Sequence, residues 1–207
     1  MAIKKSNKNQ NIDSDERSHP RDVDGLIAEL VGASSTARRW AARDLASAPE
    51  AAAHLVERLD CEQDSSVREA IFMSLTQIGN DIAVQGLVKC LRSEDVQMRN
   101  GAIEAMKHLP GAVAPIMAGL LSDPDADVRI FAVNILESLR HPDVEKWLIE
   151  VISLDRHINV CGTAVDLLGE VGTLAAATAL MALKQRFPGD AYIEFASDLA
   201  LRRIREG

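Results

Sequence analysis

If any side chains in this sequence are spaced to do chemistry, they are His157 and Cys161, four apart, with Asp155 two residues upstream. A histidine beside a thiol can take its proton, a carboxylate can orient the imidazole, and a helix N-terminus favours the thiolate; together these make a nucleophile. Against this, Asp155 to His157 read as a turn, so His157 falls outside the helix that carries Cys161. A cysteine at a repeat position is more commonly a small packed side chain. The expectation is a packing residue and no catalytic group.

The remaining candidates thin out quickly. His19, His54, His108 and His141 are dispersed, and none is followed by Glu or sits in an HExxH pattern. Cys61, Cys90 and Cys161 form no CxxC pair, so neither a zinc site nor a disulfide framework is indicated. Neither GxGxxG nor GxxxxGK[ST] occurs, which leaves nucleotide binding without support. The reading is a non-enzyme with no metal and no cofactor.

Composition narrows the class of partner. The 207 residues carry 23 basic and 31 acidic side chains, a net charge of −8. A duplex-binding surface declares itself by a basic stripe, so nucleic acid is not expected. Apolar residues make up 47% and aromatics only 3%, which suits close helix packing and suits strands poorly. Charge interrupts every apolar stretch, so no membrane span is expected. The first residues lack a secretory core, and a cytoplasmic setting follows as the expectation.

The elements that must position these residues repeat along the chain. Residues 1–21 hold few apolar side chains and carry a net +2, leaving −10 on 22–207; they read as a disordered polar tail. Beyond them, Ala37, Val67, Met98, Val128, Val160 and Tyr192 form one column, spaced by 30, 31, 30, 32 and 32 residues. Columns four and eight positions later are also apolar, which places all three on one helix face. An amphipathic helix precedes each, and Asp, Ser, Pro and Gly lie between. The prediction is an all-α chain: a right-handed α-solenoid of six helical hairpins in 22–207, with units roughly 22–48, 49–79, 80–110, 111–141, 142–172 and 173–207. Trp40, Phe131 and Phe195, three after the first column, and Trp147 are expected in the core.

The position after the first column reads Arg38, Arg68, Arg99, Arg129, then Cys161 and Ile193. A turn aspartate followed by Val-Arg opening a helix, as in Asp123 to Arg129, resembles the HEAT-repeat family, in the short bacterial form of phycobilin-lyase subunits. That resemblance implies a ladder in which Arg38, Arg68, Arg99 and Arg129 hydrogen-bond turn residues such as Asp123. It also implies that the second helices line a concave face. The His-Glu pairs of HEAT-like iron hydroxylases are missing.

Positions two, six and nine after the first column point away from the core. The stripe so defined includes Arg39, Arg43, Glu69, Met73, Asn100, Glu104, Ile130, Asn134, Glu137, Asp166, Glu194 and Asp198. It begins basic and turns acidic, with Met73 and Ile130 as apolar anchors, and fits a protein partner with a basic segment. The functional expectation is a non-catalytic scaffold or adaptor binding a protein along that face. A bilin or chromophore lyase, or lyase-like chaperone, is the alternative implied by the resemblance. A nucleic-acid repair module is a third reading, which the acidic stripe disfavours.

Overall fold

A computed structural model describes residues 22–206; the expected tail at 1–21 lies outside the described residues. These residues form twelve α-helices, and no strand occurs among them. They fall into two compact units, 22–78 and 79–206. The first contains α1 (Val23–Leu30), α2 (Ser35–Asp44), α3 (Ala52–Cys61) and α4 (Ser65–Ile78). The second contains α5 (Asp81–Cys90), α6 (Val96–Lys107), α7 (Pro110–Leu121), α8 (Ala126–Leu136), α9 (Val144–Leu154), α10 (Ile158–Val171), α11 (Ala177–Arg186) and α12 (Ala191–Glu206).

Each odd-numbered helix pairs with the next to make a hairpin, and the turns explain why. Asp22, Ser34, Asn80, Asp95 and Asp125 sit at helix N-caps and accept from the backbone N–H two or three residues on, satisfying donors that the helix leaves unpaired. Asp190 does the same for Ile193 N at 2.9 Å. Within each unit the first helices touch first helices and the second touch second: α1 on α3 and α2 on α4; then α5 on α7 and α9 on α11, α6 on α8 and α10 on α12. The result is two layers of helices per unit with the core between them.

Small residues set the closeness of that packing. Ala41, Ala42, Ala102, Ala132 and Ala164 have no exposed surface, so backbones approach where larger side chains would hold them apart. Between them, Leu45, Leu55, Ile71 and Leu75 fill the first unit and Leu87, Met106, Met117, Ile135 and Leu148 the second. Each such side chain contributes roughly 1.5–3 kcal/mol on burial.

The last hairpin departs from expectation at its first column. Tyr192 is 51% exposed and Phe195 67%, whereas Ile193, Ser197 and Leu201 are buried, with Ala196 and Ala200 beside them. The columns four and eight positions on, Ala196 and Ala200, are thus buried as in the earlier hairpins, and only the first turn departs: Ile193 is the core residue there in place of Tyr192. The turn before it contains Gly189 at φ 80°, a left-handed conformation that suits glycine. Trp147 is buried as expected, and it stacks on His141 at 4.9 Å.

Candidate functional site: the arginine ladder and the face of the second helices

Each arginine that follows the first column closes its own turn. Arg38 donates to the carbonyls of Gly32 (3.0 Å) and Ala33 (2.9 Å), and Arg68 to that of Glu62 (2.7 Å). Arg99 donates to Ser93 and Glu94 at 2.7 and 2.9 Å, and Arg129 to Asp123 and Pro124 at 2.7 and 3.3 Å. In all four, one acceptor is the carbonyl six residues back. A guanidinium carries enough donors to reach onward as well. Arg38 forks onto Glu62 at 2.8 and 3.0 Å in the first unit, and Arg129 onto Asp155 at 2.6 and 3.0 Å in the second. Asp123 instead takes its forked partner from Arg92, at the end of α5.

The carboxylates are held ionised by this geometry. Burial pushes the Glu62 pKa up, but Arg38, the Asp64 N–H, Arg58 and the Gln63 N–H outweigh it and bring it to about 2. Asp155 is lowered as well: burial opposes, while Arg129 and the His157 N–H prevail. Asp123 is lowered chiefly by Arg92.

In the fifth hairpin the ladder changes hands. Cys161 is fully buried at the arginine position, and its Sγ lies 3.4 Å from the Asp155 carbonyl, the acceptor an arginine would use. Arg186, from the end of α11, bonds the carbonyls of Ile152 and Asp155. Burial pushes the Cys161 thiol up to about 11, opposite to what a nucleophile needs. His157 is the exposed N-cap of α10, and its link to Cys161 is the backbone bond from Cys161 N to His157 O. Among the described residues no group of three or more His, Cys, Asp or Glu is placed to hold a metal ion. No helix there is long and apolar enough to cross a membrane.

The stripe on the second helices is less uniform than its sequence. In the first unit Arg43, Glu69 and Met73 are exposed, Met73 by 58%, while Arg39 is half-buried and lies 5.7 Å from the Trp40 ring centre. In the second unit Asn100, Glu104, Glu137 and Asp166 are exposed, whereas Ile130 and Asn134 are half-buried. Lys107 reaches both Glu104 and Glu137 at 3.0 Å, so those two acids share a cation of their own chain. Asp166 Oδ2 accepts from the Tyr192 hydroxyl, and that bond heads the causes that push the tyrosine up to about 12.

Glu194 and Asp198 are exposed on α12. Asp198 pairs with Lys184 of α11 at 2.6 Å, so it faces the first-helix layer. Tyr192 and Phe195, assigned to the core by spacing, are exposed on the same helix. A Cβ on Gly162 would come 2.9 Å from the Tyr192 ring, so the glycine is what lets the ring lie across α10. The pairing of Gly162 in one hairpin with a tyrosine column in the next is the signal that sequence spacing alone passed over.

Comparison with known proteins fixes the family. The model for HEAT repeats matches residues 23–107 and 113–192. The chain belongs to the HEAT-repeat family. Among relatives of this HEAT-repeat chain, the bilin biosynthesis protein PecE of Mastigocladus laminosus is 30% identical over 151 residues, 71% of this chain and 56% of that protein. PecE of Nostoc sp. (strain PCC 7120 / SAG 25.82 / UTEX 2576) is 39% identical over 74 residues, 35% of this chain and 29% of its own length. The match thus spans about half of the first relative and less of the second. A solved complex of CpcE and CpcF of phycocyanin lyase from Nostoc sp. PCC7120 is 18% identical with a TM-score of 0.38, covering 99% of this chain and 100% of that one.

Proposed function

We propose that this HEAT-repeat chain is a protein-binding module that works on proteins carrying or receiving a bilin, docking them on the exposed side of its second helices. One observation carries the reading: 30% identity over 151 residues, 71% of this chain, to a bilin biosynthesis protein. Successive second helices present side chains to one side within each unit, which is how helical repeats build binding surfaces. Met73 in the first unit and Phe195 in the second are large apolar side chains exposed there, of the kind that anchor partners inside a polar rim. The acids expected to steer a basic segment play a smaller part, since Lys107 shares two of them and Lys184 a third.

The test mixes the chain with phycocyanobilin alone and with apo- and bilin-bearing phycocyanin, followed by size-exclusion chromatography and visible spectra. Co-elution with either protein form, with no band shift from bilin alone, is the expected result. Absence of co-elution with both would refute the reading. A second reading, a chromophore lyase, is favoured by the relatives' description as bilin biosynthesis proteins. Covalent bilin transfer to the apoprotein in the presence of the chain alone would establish it instead.

A further inference from the structure

We infer that Tyr192, Phe195 and Asp166 form a seat for an arginine side chain carried by an extended basic segment of the partner protein. This rests on the protein-binding reading and gives it a chemistry. The first observation is how this chain treats its other rings. Arg39 and Arg43 lie 5.7 and 5.5 Å from the Trp40 ring centre, Arg99 5.7 Å from Phe131, and Arg186 5.5 Å from Phe187. Phe72 is buried, and Trp147 is buried against His141. Among the described residues, Tyr192 and Phe195 are the exposed rings that no guanidinium covers.

Sequence gives the reason for that vacancy. Arg99 comes from the repeat position that in the hairpin before Phe195 is Cys161, a short side chain with no exposed surface. The rings are left open, whereas Arg99 covers Phe131 in the fourth hairpin.

Charge decides what fits. Helix α10 carries Asp166 and Glu170 and no Lys or Arg, and residues 191–200 of α12 carry Glu194 and Asp198 and no Lys or Arg. Asp166 takes the tyrosine hydroxyl through Oδ2, which leaves Oδ1 to accept from a cation resting on the rings. A guanidinium meets both demands: its plane stacks on an aromatic face, and its edge donates to a carboxylate. A lysine supplies one point charge to the same place and gains less. A free tetrapyrrole would bring propionate groups toward these acids, which works against it.

The experiment uses the full chain and three fluorescein-labelled octapeptides of alternating glycine with arginine, lysine or citrulline, read by anisotropy at physiological salt. Replacing arginine by neutral citrulline, or truncating Phe195→Ala or Tyr192→Ala, is expected to weaken binding by about tenfold each, the size of a partly desolvated cation–π contact. Tyr192→Phe keeps the ring and separates stacking from the hydroxyl, so it is expected to lose less than Tyr192→Ala. Glu57→Gln, an exposed acid in the first unit, is expected to change nothing. Because Phe195 is 67% exposed, Phe195→Ala is expected to keep the parent's melting midpoint, which excludes misfolding as the cause. Equal binding by Phe195→Ala and parent, or by arginine and citrulline peptides, overturns the inference. So does a biliverdin band shift that depends on Phe195 while the arginine peptide fails to bind. If phycocyanin co-elutes equally with parent and Phe195→Ala, the seat is wrong and the protein-binding reading stands. If the arginine peptide binds through Phe195 and neither phycocyanin form co-elutes, the seat stands and its placement among bilin proteins falls.

Discussion

The junction of the fourth and fifth hairpins and that of the fifth and sixth join the same kinds of helices by different means. At the first, one guanidinium does two jobs: Arg129 closes its own turn and forks onto Asp155 of the next. At the second, Cys161 keeps only the short contact to the turn carbonyl, and Arg186 arrives from the outer layer to bond that carbonyl. The arginine from the first-helix layer restores the turn but reaches no ring of α12. No guanidinium rises from the Cys161 position, and the Tyr192 and Phe195 rings lie exposed. Losing a structural side chain from a repeat thus leaves a surface that the other repeats do not have.

The comparison breaks most visibly at Arg129. Arg129→Ala leaves Asp155 ionised, nearly buried and without its forked partner, at a cost of about 3–5 kcal/mol. Thermal or urea unfolding checks this, and an unchanged midpoint would mean that the ladder is decoration. Arg99→Ala belongs to a milder class. Arg99 donates only to two carbonyls and covers a ring, and its removal is expected to cost ~1–2 kcal/mol by the same measurement.

Acid acts on the first unit through Glu62. Its folded pKa of about 2 lies below the ordinary value of 4.5, so its contribution is complete above about pH 4.5 and is lost as pH falls toward 2. Linkage sets that contribution at about 3 kcal/mol. Glu62→Gln is expected to flatten the acid limb of a stability-against-pH curve between those values. An unflattened limb would place the acid sensitivity elsewhere.

Much of this was legible in the sequence. The hairpins follow from columns at 0, 4 and 8, and the turn caps follow from Asp and Ser, because both are local rules. The ends of the pattern were less legible: Tyr192 and Phe195 were taken for core, because spacing does not show which ring finds cover from a neighbouring helix. Nor does a spacing rule reveal that Lys107 lies within reach of both Glu104 and Glu137, one of them thirty residues away. Long side chains choose partners in three dimensions.

The two junctions also differ in what they offer a reagent. With its pKa near 11, Cys161 holds at pH 8 a thiolate fraction about a hundredfold below that of an unperturbed thiol. Iodoacetamide is expected to label exposed Cys61 first and Cys161 only with unfolding, as peptide mapping by mass spectrometry would show. Fast labelling of Cys161 in the folded chain would reopen the nucleophile.

The smallest effect lies at Ser197 of α12, which is fully buried with a hydroxyl that has no hydrogen-bond partner. The same position, five after the first column, is Ala42, Phe72, Ile103, Val133 and Val165 in the earlier hairpins, so an apolar side chain is what this environment accepts. Ser197→Ala removes the unpaired hydroxyl and adds helix propensity while leaving the packing volume nearly unchanged. It is expected to stabilise the chain by about 0.5–1 kcal/mol. Chemical denaturation with an unchanged m-value would read this directly. A destabilised Ser197→Ala would mean that the hydroxyl finds a partner in solution.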